Sequence, residues 1–263
     1  MKATADGDFT LAFLVRHGQA AVPDQEGRYF SKAPVPLTER GEQQAAAAGD
    51  LLRTSAIDAI WSSDLLRARQ TAEIIARVTG VPVCYDKRLQ EVDTGTLDGS
   101  SHADLEHDHP EFLPWIRAGF RQGFSGSAGH LDANLRFPGG ESVADASMRA
   151  VTAFQEIAAA HLGGCIALVA HAWVTSSVLC HVLEIPVTQY FRFGTANAGV
   201  SLVRVGVDGH GMLDALNLAV PLSRLAGGSV PQRQHVTSHG GGPRCLLPTK
   251  PSSTPKPRSR RTR

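Results

Sequence analysis

Two histidines stand directly after apolar segments that are typical of buried strands. The segment FLVRHGQA (13–20) places Arg16 and His17 at the end of one run, and IALVAH (166–171) places His171 at the end of another. Guanidinium groups bind phosphate oxygens through paired hydrogen bonds. An imidazole can act as a nucleophile or carry a proton. A bland interpretation, polar residues that simply end two strands, stays open, but these residue types favour a site that handles a phosphorylated group.

Phosphoryl chemistry also needs more fixed positive charge and a proton donor. Arg67 lies early in a predicted helix, SSDLLRARQTAE (62–73), where the N-terminal N–H groups favour an anion. Arg69 is the alternative on the same helix. Glu91 follows a third predicted strand and is the candidate proton donor. Three nearby acids leave that assignment open: Asp93, Asp98 and Glu106.

Strands and helices alternate along the chain, and this order predicts how the candidate residues are positioned. The strands are predicted at 9–15, 57–63, 81–89 and 165–171, the helices at 37–55, 64–80, 142–164 and 173–185, and a closing hairpin at 198–218. Thr38 can cap the first helix and Gly80 can end the second. The alternation predicts an α/β three-layer sandwich with a mostly parallel sheet and helices on both faces. Ligands bind at the carboxyl ends of such strands, so the two histidines could meet there.

The composition is that of one large globular domain followed by a tail. The chain has 263 residues, of which 42% are hydrophobic, and we predict a domain over residues 1–222. Its four cysteines have no C-x-x-C spacing, which favours buried free thiols over a disulfide framework. The apolar stretch 165–183 contains two histidines and is better explained by a strand and a helix than by a membrane span. The N-terminus has no secretory signal pattern. We therefore expect a cytoplasmic protein.

The segment 223–263 differs from the rest of the chain in composition. It contains nine Lys and Arg residues and no acidic residue, so the preceding domain is net acidic. It is rich in Gly, Pro and Ser, and such a segment buries too little apolar surface to fold, so we predict disorder. A solubilising tail is the favoured interpretation. Binding to nucleic acid, acidic lipid or the acidic domain stays open, with nucleic acid the less favoured partner.

Six ordered segments resemble the histidine phosphatase superfamily, whose fold is that of phosphoglycerate mutase. They are LVRHGQ (14–19), PLTERGEQQA (36–45), SSDLLRARQTAE (62–73), LQEVDTGTLDG (89–99), FPGGES (137–142) and ALVAH (167–171). A lone R-H-G would be weak evidence for this family, whereas six segments in the same order are specific evidence. The resemblance extends from about residue 9 to residue 222. It implies a phosphatase that works through a phosphohistidine.

The resemblance also implies roles for individual residues. His17 would attack phosphorus, and Arg16, Arg67 and His171 would bind the phosphoryl oxygens. Glu91 would protonate the leaving group and later act as base for water. No metal and no cofactor are implied. Four further residues are expected to contact substrate: Gly18, Gln19, Ala172 and Trp173.

The sequence departs from the family pattern at several positions. Ala20 stands where a Ser or Thr is usual, an expected asparagine soon after it is missing, and Gln19 or Gln25 could replace that contact. Trp173 stands where the family usually has Gly or Asn, and it could narrow the pocket or stack on the substrate. Glu141 could cap a helix or lie at the site edge. These differences suggest an unusual substrate rather than an inactive site.

A segment at about 100–140 is expected to select the substrate as a cap over the site. Its aromatic residues would suit a partly apolar leaving group: Phe112, Trp115, Phe120, Phe124 and Phe137. Three histidines in this segment could suggest a metal, but their polar setting favours a solvated cap: His102, His107 and His109.

The leading functional hypothesis is a phosphomonoesterase that acts on a small phosphorylated metabolite. Phosphoglycerate mutase activity is less favoured, because the 100–140 region lacks the strongly basic insertion that such mutases usually carry. The third hypothesis is a non-catalytic module that binds a phosphorylated ligand. The oligomeric state stays open, and a homodimer is compatible with the sequence.

Overall fold

A six-stranded mixed sheet forms the centre of the computed structural model, which describes residues 9–21, 28–115 and 132–218. The order across the sheet is β3-β2-β4-β1-β5-β6. The first four strands are parallel, and the last two run antiparallel to their neighbours. In chain order the strands are β1 Phe9–Arg16, β2 Ala59–Ser62, β3 Val83–Tyr85, β4 Cys165–Ala170, β5 Val200–Gly206 and β6 Gly211–Leu218.

Helices cover both faces of this sheet, so the predicted α/β sandwich is confirmed. Helices α1 (Glu39–Arg53) and α2 (Leu66–Thr79) pack on the face that carries Phe13 and Val15. The opposite face, with Leu14, packs against two further helices, α4 (Val143–Ala160) and α5 (Ala172–Val182). The short helix α3 (His102–Asp108) lies in the connection between β3 and α4.

The two strands that precede the histidines are neighbours at the centre of the sheet. Every residue of β4 is buried, and β1 is buried along most of its length. This burial on both faces explains why both strands read as continuous apolar runs rather than alternating ones. The register pairs Arg16 with Ala170, so His17 and His171 leave the sheet side by side.

Several local signals in the sequence have the effect predicted for them. The Thr38 side chain accepts a hydrogen bond from the Gly41 N–H and caps α1, and Gly80 ends α2 in the left-handed conformation. The third strand is shorter than predicted. Asp86 turns the chain out of the sheet, because its side chain accepts from the Arg88 N–H and caps a 3-10 turn at Lys87–Leu89.

The 100–140 region is only partly described by the structure. Residues 113–115 are helical, and residues 116–131, which include Phe120 and Phe124, lie outside the described residues. The other three aromatic side chains, Phe112, Trp115 and Phe137, are buried in a second core beside Trp173. Phe112 stacks on Phe137 with ring centroids 4.7 Å apart, and Trp115 stacks on Tyr190 with ring centroids 5.6 Å apart. The expectation that these three face a substrate is therefore wrong. Their large apolar surfaces are used for packing.

The apolar stretch 165–183 forms β4 followed by α5, as predicted. In the described part of the chain, no helix is long and apolar enough to cross a bilayer.

Cys165 and Cys180 are free and buried, as predicted. Cys84 is disulfide-bonded, so the free-thiol prediction is wrong for that residue. Cys245 and the whole of the predicted basic tail lie outside the described residues.

Candidate active site

His17 begins the loop that leaves the carboxyl end of β1. Its Nδ1 lies 2.7 Å from the Gly18 carbonyl oxygen, which can only accept, so Nδ1 carries a proton. Arg67 Nε donates to His17 Nε2 at 3.2 Å. Burial, and then the charges of Arg67 and Arg16, hold the pKa of His17 well below 6.5. His17 is thus a neutral imidazole whose unprotonated nitrogen is Nε2, the form that a nucleophile needs.

Glycine at position 18 is required by a close approach of two backbone segments. A Cβ atom on Gly18 would lie 2.4 Å from the carbonyl oxygen of Gly41, in the first turn of α1. The Gly18 N–H donates to the Thr71 hydroxyl on α2 at 3.0 Å. The loop that carries His17 is therefore fixed against α1 and α2. Gly18 itself is used for this packing.

Two guanidinium groups lie beside His17. Arg67 is buried in the first turn of α2, and its Nη2 donates to the Ser31 carbonyl at 2.7 Å. Arg16 donates from Nη1 to the Thr195 carbonyl at 2.8 Å. Burial is the main cause that lowers the pKa of both groups below the usual arginine value, and an arginine in a protein remains charged. Two cations therefore face one histidine.

Among the described residues, few buried side-chain polar atoms have no hydrogen-bond partner, and two of them belong to this site. They are Arg16 Nε and His171 Nδ1. Orphaned buried polar groups are rare in folded proteins, because each carries a desolvation cost. Their position beside His17 fits a site that is completed by a bound anion.

His171 stands at the N-terminus of α5, with its ring centroid 5.2 Å from that of His17. Its Nε2 lies 2.9 Å from the hydroxyl oxygen of Ser63. Burial, followed by the charge of Arg67, holds the pKa of His171 well below 6.5, so the ring is neutral. A Ser63 hydroxyl that donates to Nε2 leaves the proton on the orphaned Nδ1. In that tautomer His171 is a hydrogen-bond donor for an anion even without a charge.

Glu91 is a buried carboxylic acid that lines the same cavity as His17. Burial raises its pKa above 4.5, although the charges of Arg67 and Arg16 oppose the shift. Its carboxylate oxygens accept hydrogen bonds from the backbone N–H groups of Val92 and Trp173. A raised pKa keeps the group protonated to a higher pH, which is the property of a general acid.

The three alternative acids have other partners. Asp93 accepts from the Gly95 N–H, and both carboxylate oxygens of Asp98 accept from the backbone of residues 31–33. Glu106 is exposed on α3. Glu141 neither caps α4, which is capped by Ser142, nor lines the cavity, but forms an ion pair with Arg149 at 2.6 Å.

A cavity of about 280 Å³ opens at this edge of the sheet. Seven of the predicted residues line it: Arg16, His17, Gln19, Arg67, Glu91, Ala172 and Trp173. The described lining does not include Gly18 or His171; His171 is buried, with its ring centroid 5.2 Å from that of His17. Gln25 lies outside the described residues. Six further lining residues were not predicted: Ala20, Arg28, Tyr29, Phe30, Val35 and Asn197.

Trp173 forms the wall between this cavity and the second core. It is buried, and it packs against three aromatic rings. The distances between ring centroids are 6.3 Å to Tyr29, 6.0 Å to Phe137 and 5.4 Å to Tyr190. With Tyr29 and Phe30 it gives the cavity an aromatic side. The apolar wall therefore comes from Trp173 and from the segment after β1.

Comparison with known proteins identifies the family to which this chain is similar. Residues 12–218 match the model of the histidine phosphatase superfamily (branch 1). A probable phosphoglycerate mutase GpmB of Salmonella choleraesuis (strain SC-B67) is 31% identical over 191 residues, which cover 73% of this chain and 83% of the relative. A structure of the mycobacterial glucosyl-3-phosphoglycerate phosphatase Rv2419c is 27% identical, with a TM-score of 0.67, covering 80% of this chain and 99% of that one. The structure of the alpha-ribazole phosphatase of Shigella flexneri is 25% identical, with a TM-score of 0.65, and the match covers 81% of this chain and 98% of that one.

Proposed function

The chain belongs to the histidine phosphatase superfamily, and from that membership we propose that it is a phosphomonoesterase that hydrolyses a small phosphorylated metabolite through a phosphohistidine on His17. One observation carries the proposal. His17, whose Nε2 is unprotonated, lines a cavity beside two buried nitrogen atoms, Arg16 Nε and His171 Nδ1, that have no hydrogen-bond partner among the described residues. A phosphoryl group would satisfy both donors while it faces the nucleophile.

In the first step His17 Nε2 attacks phosphorus and the bond from phosphorus to the ester oxygen breaks. Protonated Glu91 gives its proton to that oxygen, which leaves as an alcohol. Arg16 and Arg67 stabilise the charge on the phosphoryl oxygens with fixed positive charge, and His171 donates a hydrogen bond from Nδ1. The products of this step are phosphohistidine, the alcohol and a Glu91 carboxylate.

In the second step the Glu91 carboxylate accepts a proton from water as the water oxygen attacks phosphorus. The bond from phosphorus to His17 Nε2 breaks, inorganic phosphate leaves, and Glu91 is protonated again. Both steps need one carboxyl group that alternates between acid and base. The raised pKa of Glu91 supports that double role.

Mutase-type transfer is the second candidate, and the similarity to a probable phosphoglycerate mutase favours it. Two solved phosphatases of similar fold favour hydrolysis instead. The two reactions share the phosphohistidine and differ in the acceptor, water or a hydroxyl of a bound acid. A coupled assay with 3-phosphoglycerate separates them.

The test of the proposal is phosphate release from a panel of small phosphate esters by the wild-type chain and by His17→Ala. We expect turnover, and an acid-labile phosphoryl adduct visible in the intact mass, from the wild type but not from the variant. His107→Ala, which removes an exposed histidine of α3, is the matched control and should behave as wild type. A His17→Ala variant that keeps turnover would overturn the proposal. A wild type that binds phosphate esters without releasing phosphate would support the non-catalytic binding module instead.

A further inference from the structure

The geometry points to Arg149 as a positioning residue that holds the backbone of Glu91 in place for proton transfer, an inference that rests on the proposed function. Arg149 lies on α4, and its guanidinium reaches the segment between β3 and Glu91. Nη1 donates to the carbonyl oxygens of Arg88 at 2.8 Å and Gln90 at 2.6 Å, and Nη2 donates to the Glu91 carbonyl at 2.8 Å. The contact is with the main chain of the acid, not with its carboxyl group.

Glu141 holds the other edge of the same guanidinium. Arg149 Nε donates to Glu141 Oε1 at 2.6 Å, and Nη2 donates to Oε2 at 2.8 Å. Arginine has five N–H donors, and all five are therefore used, three on residues 88–91 and two on Glu141. Glu141 Oε2 also accepts from the Asp93 N–H at 3.0 Å, and the Glu141 N–H donates to the Asp93 carbonyl at 2.8 Å. The backbone is thus bound on both sides of Glu91.

The segment needs such support because no strand or α-helix holds it. Glu91 follows a single 3-10 turn, and residues 90–94 carry no regular structure. Side-chain bonds hold Gln90 itself, to Lys32 at 2.7 Å and to Asp64, but these contacts do not reach the main chain of Glu91. Arg149 contacts three carbonyl groups of this segment, at 88, 90 and 91. A small displacement of a proton donor is enough to reduce its rate contribution strongly.

The charge of Arg149 is arranged so that it does not compete with the function of Glu91. Its counter-ion is Glu141, and the pair is only partly exposed. The charges that act on the Glu91 carboxyl are those of Arg67 and Arg16. Arg149 can therefore fix the acid while leaving it free to carry its proton.

The test exploits the dependence of general-acid catalysis on the leaving group. p-Nitrophenolate leaves without a proton, whereas the alkoxide of glycerol 2-phosphate needs one. We expect Arg149→Met to lower kcat/KM for glycerol 2-phosphate about 10- to 100-fold, which is part of the effect of losing a general acid. The same variant should lower kcat/KM for p-nitrophenyl phosphate by no more than about threefold. Glu91→Gln should give the same pattern with a larger loss. Arg149→Lys should fall between wild type and Arg149→Met, because an ammonium group cannot span the three carbonyl groups.

Arg136→Met is the matched control, because Arg136 lies nearby, is exposed and pairs with Asp145. It should leave both rates at the wild-type value. Urea unfolding of each variant separates a folding defect from a catalytic one, and Glu141→Gln offers a second route to the same loss of alignment if Arg149→Met does not fold. Equal losses on both substrates, or no loss on either, would overturn the inference. The proposed function fails separately, when His17→Ala still releases phosphate.

Discussion

The orphaned Nδ1 of His171 leads to a quantitative prediction about the binding of inorganic phosphate, the product of the proposed reaction. The His171→Leu variant removes this donor, while His171→Asn retains a side-chain N–H close to the same position. A hydrogen bond to a charged group contributes about 1.5–3 kcal/mol. Since about 1.4 kcal/mol corresponds to a tenfold change in affinity, phosphate should bind His171→Leu about 10- to 150-fold more weakly than wild type.

Isothermal titration calorimetry at neutral pH measures this difference directly. His171→Asn should recover most of the lost affinity, and Ser63→Ala should lose less than His171→Leu, because it only removes the partner that sets the tautomer. A second readout is thermal unfolding. Phosphate at about 100 times its Kd should stabilise the wild-type protein by about 2.7 kcal/mol.

The prediction has a clear point of failure. If His171→Leu binds phosphate as tightly as the wild type, Nδ1 does not face the anion and the assignment of the site to a phosphoryl group loses its main support. If His171→Asn is as weak as His171→Leu while both unfold at the wild-type temperature, the donor is not what matters. Either result would contradict the reasoning from unpartnered donors.

Two further predictions follow from the same site. Gly18→Ala should destabilise the fold by about 1–3 kcal/mol in urea unfolding, because the new Cβ would meet the Gly41 carbonyl at 2.4 Å, and an unchanged midpoint would contradict the close packing. At mildly acidic pH, kcat/KM should not fall through protonation of His17, since its lowered pKa keeps it neutral there, and kcat/KM should decline as the pH rises through the raised pKa of Glu91, which then loses its proton. With glycerol 2-phosphate, whose leaving group needs a proton, the residual activity of Glu91→Gln should lack that decline; a profile that keeps it would assign the decline to another group.

The sequence was sufficient to predict the sheet and the meeting of the two histidines. Long apolar runs identify strands that are buried on both faces, and such strands lie at the centre of a sheet. The ends of two neighbouring parallel strands necessarily share an edge. Helix ends at Thr38 and Gly80 follow from local backbone chemistry that does not depend on the rest of the fold.

The residues that were missed depend on information that only the three-dimensional arrangement supplies. Asn197 precedes β5, and it reaches the cavity because β5 runs antiparallel to β1, so that its amino end lies at the site. The direction of that strand was not predicted. Tyr29 and Phe30 belong to the connection between β1 and α1, and this connection has no periodic pattern from which its path could be predicted.

Arg149 was also missed, because its partners are mostly backbone carbonyl groups. No residue type marks such acceptors in a sequence. The aromatic side chains of the 100–140 region were predicted to face a substrate for the opposite reason: their types were clear, but composition does not say which side of a segment is buried.

The pairing of β1 with β4 has a consequence for the order of events during synthesis. His17 is made early, yet His171, whose ring lies beside it, and strand β4 that leads to His171 are made more than half a chain later. A nascent chain on the ribosome therefore carries the proposed nucleophile without the residues proposed to act with it. Protein synthesis proceeds from the N-terminus, so any product that stops before residue 171 should be catalytically silent.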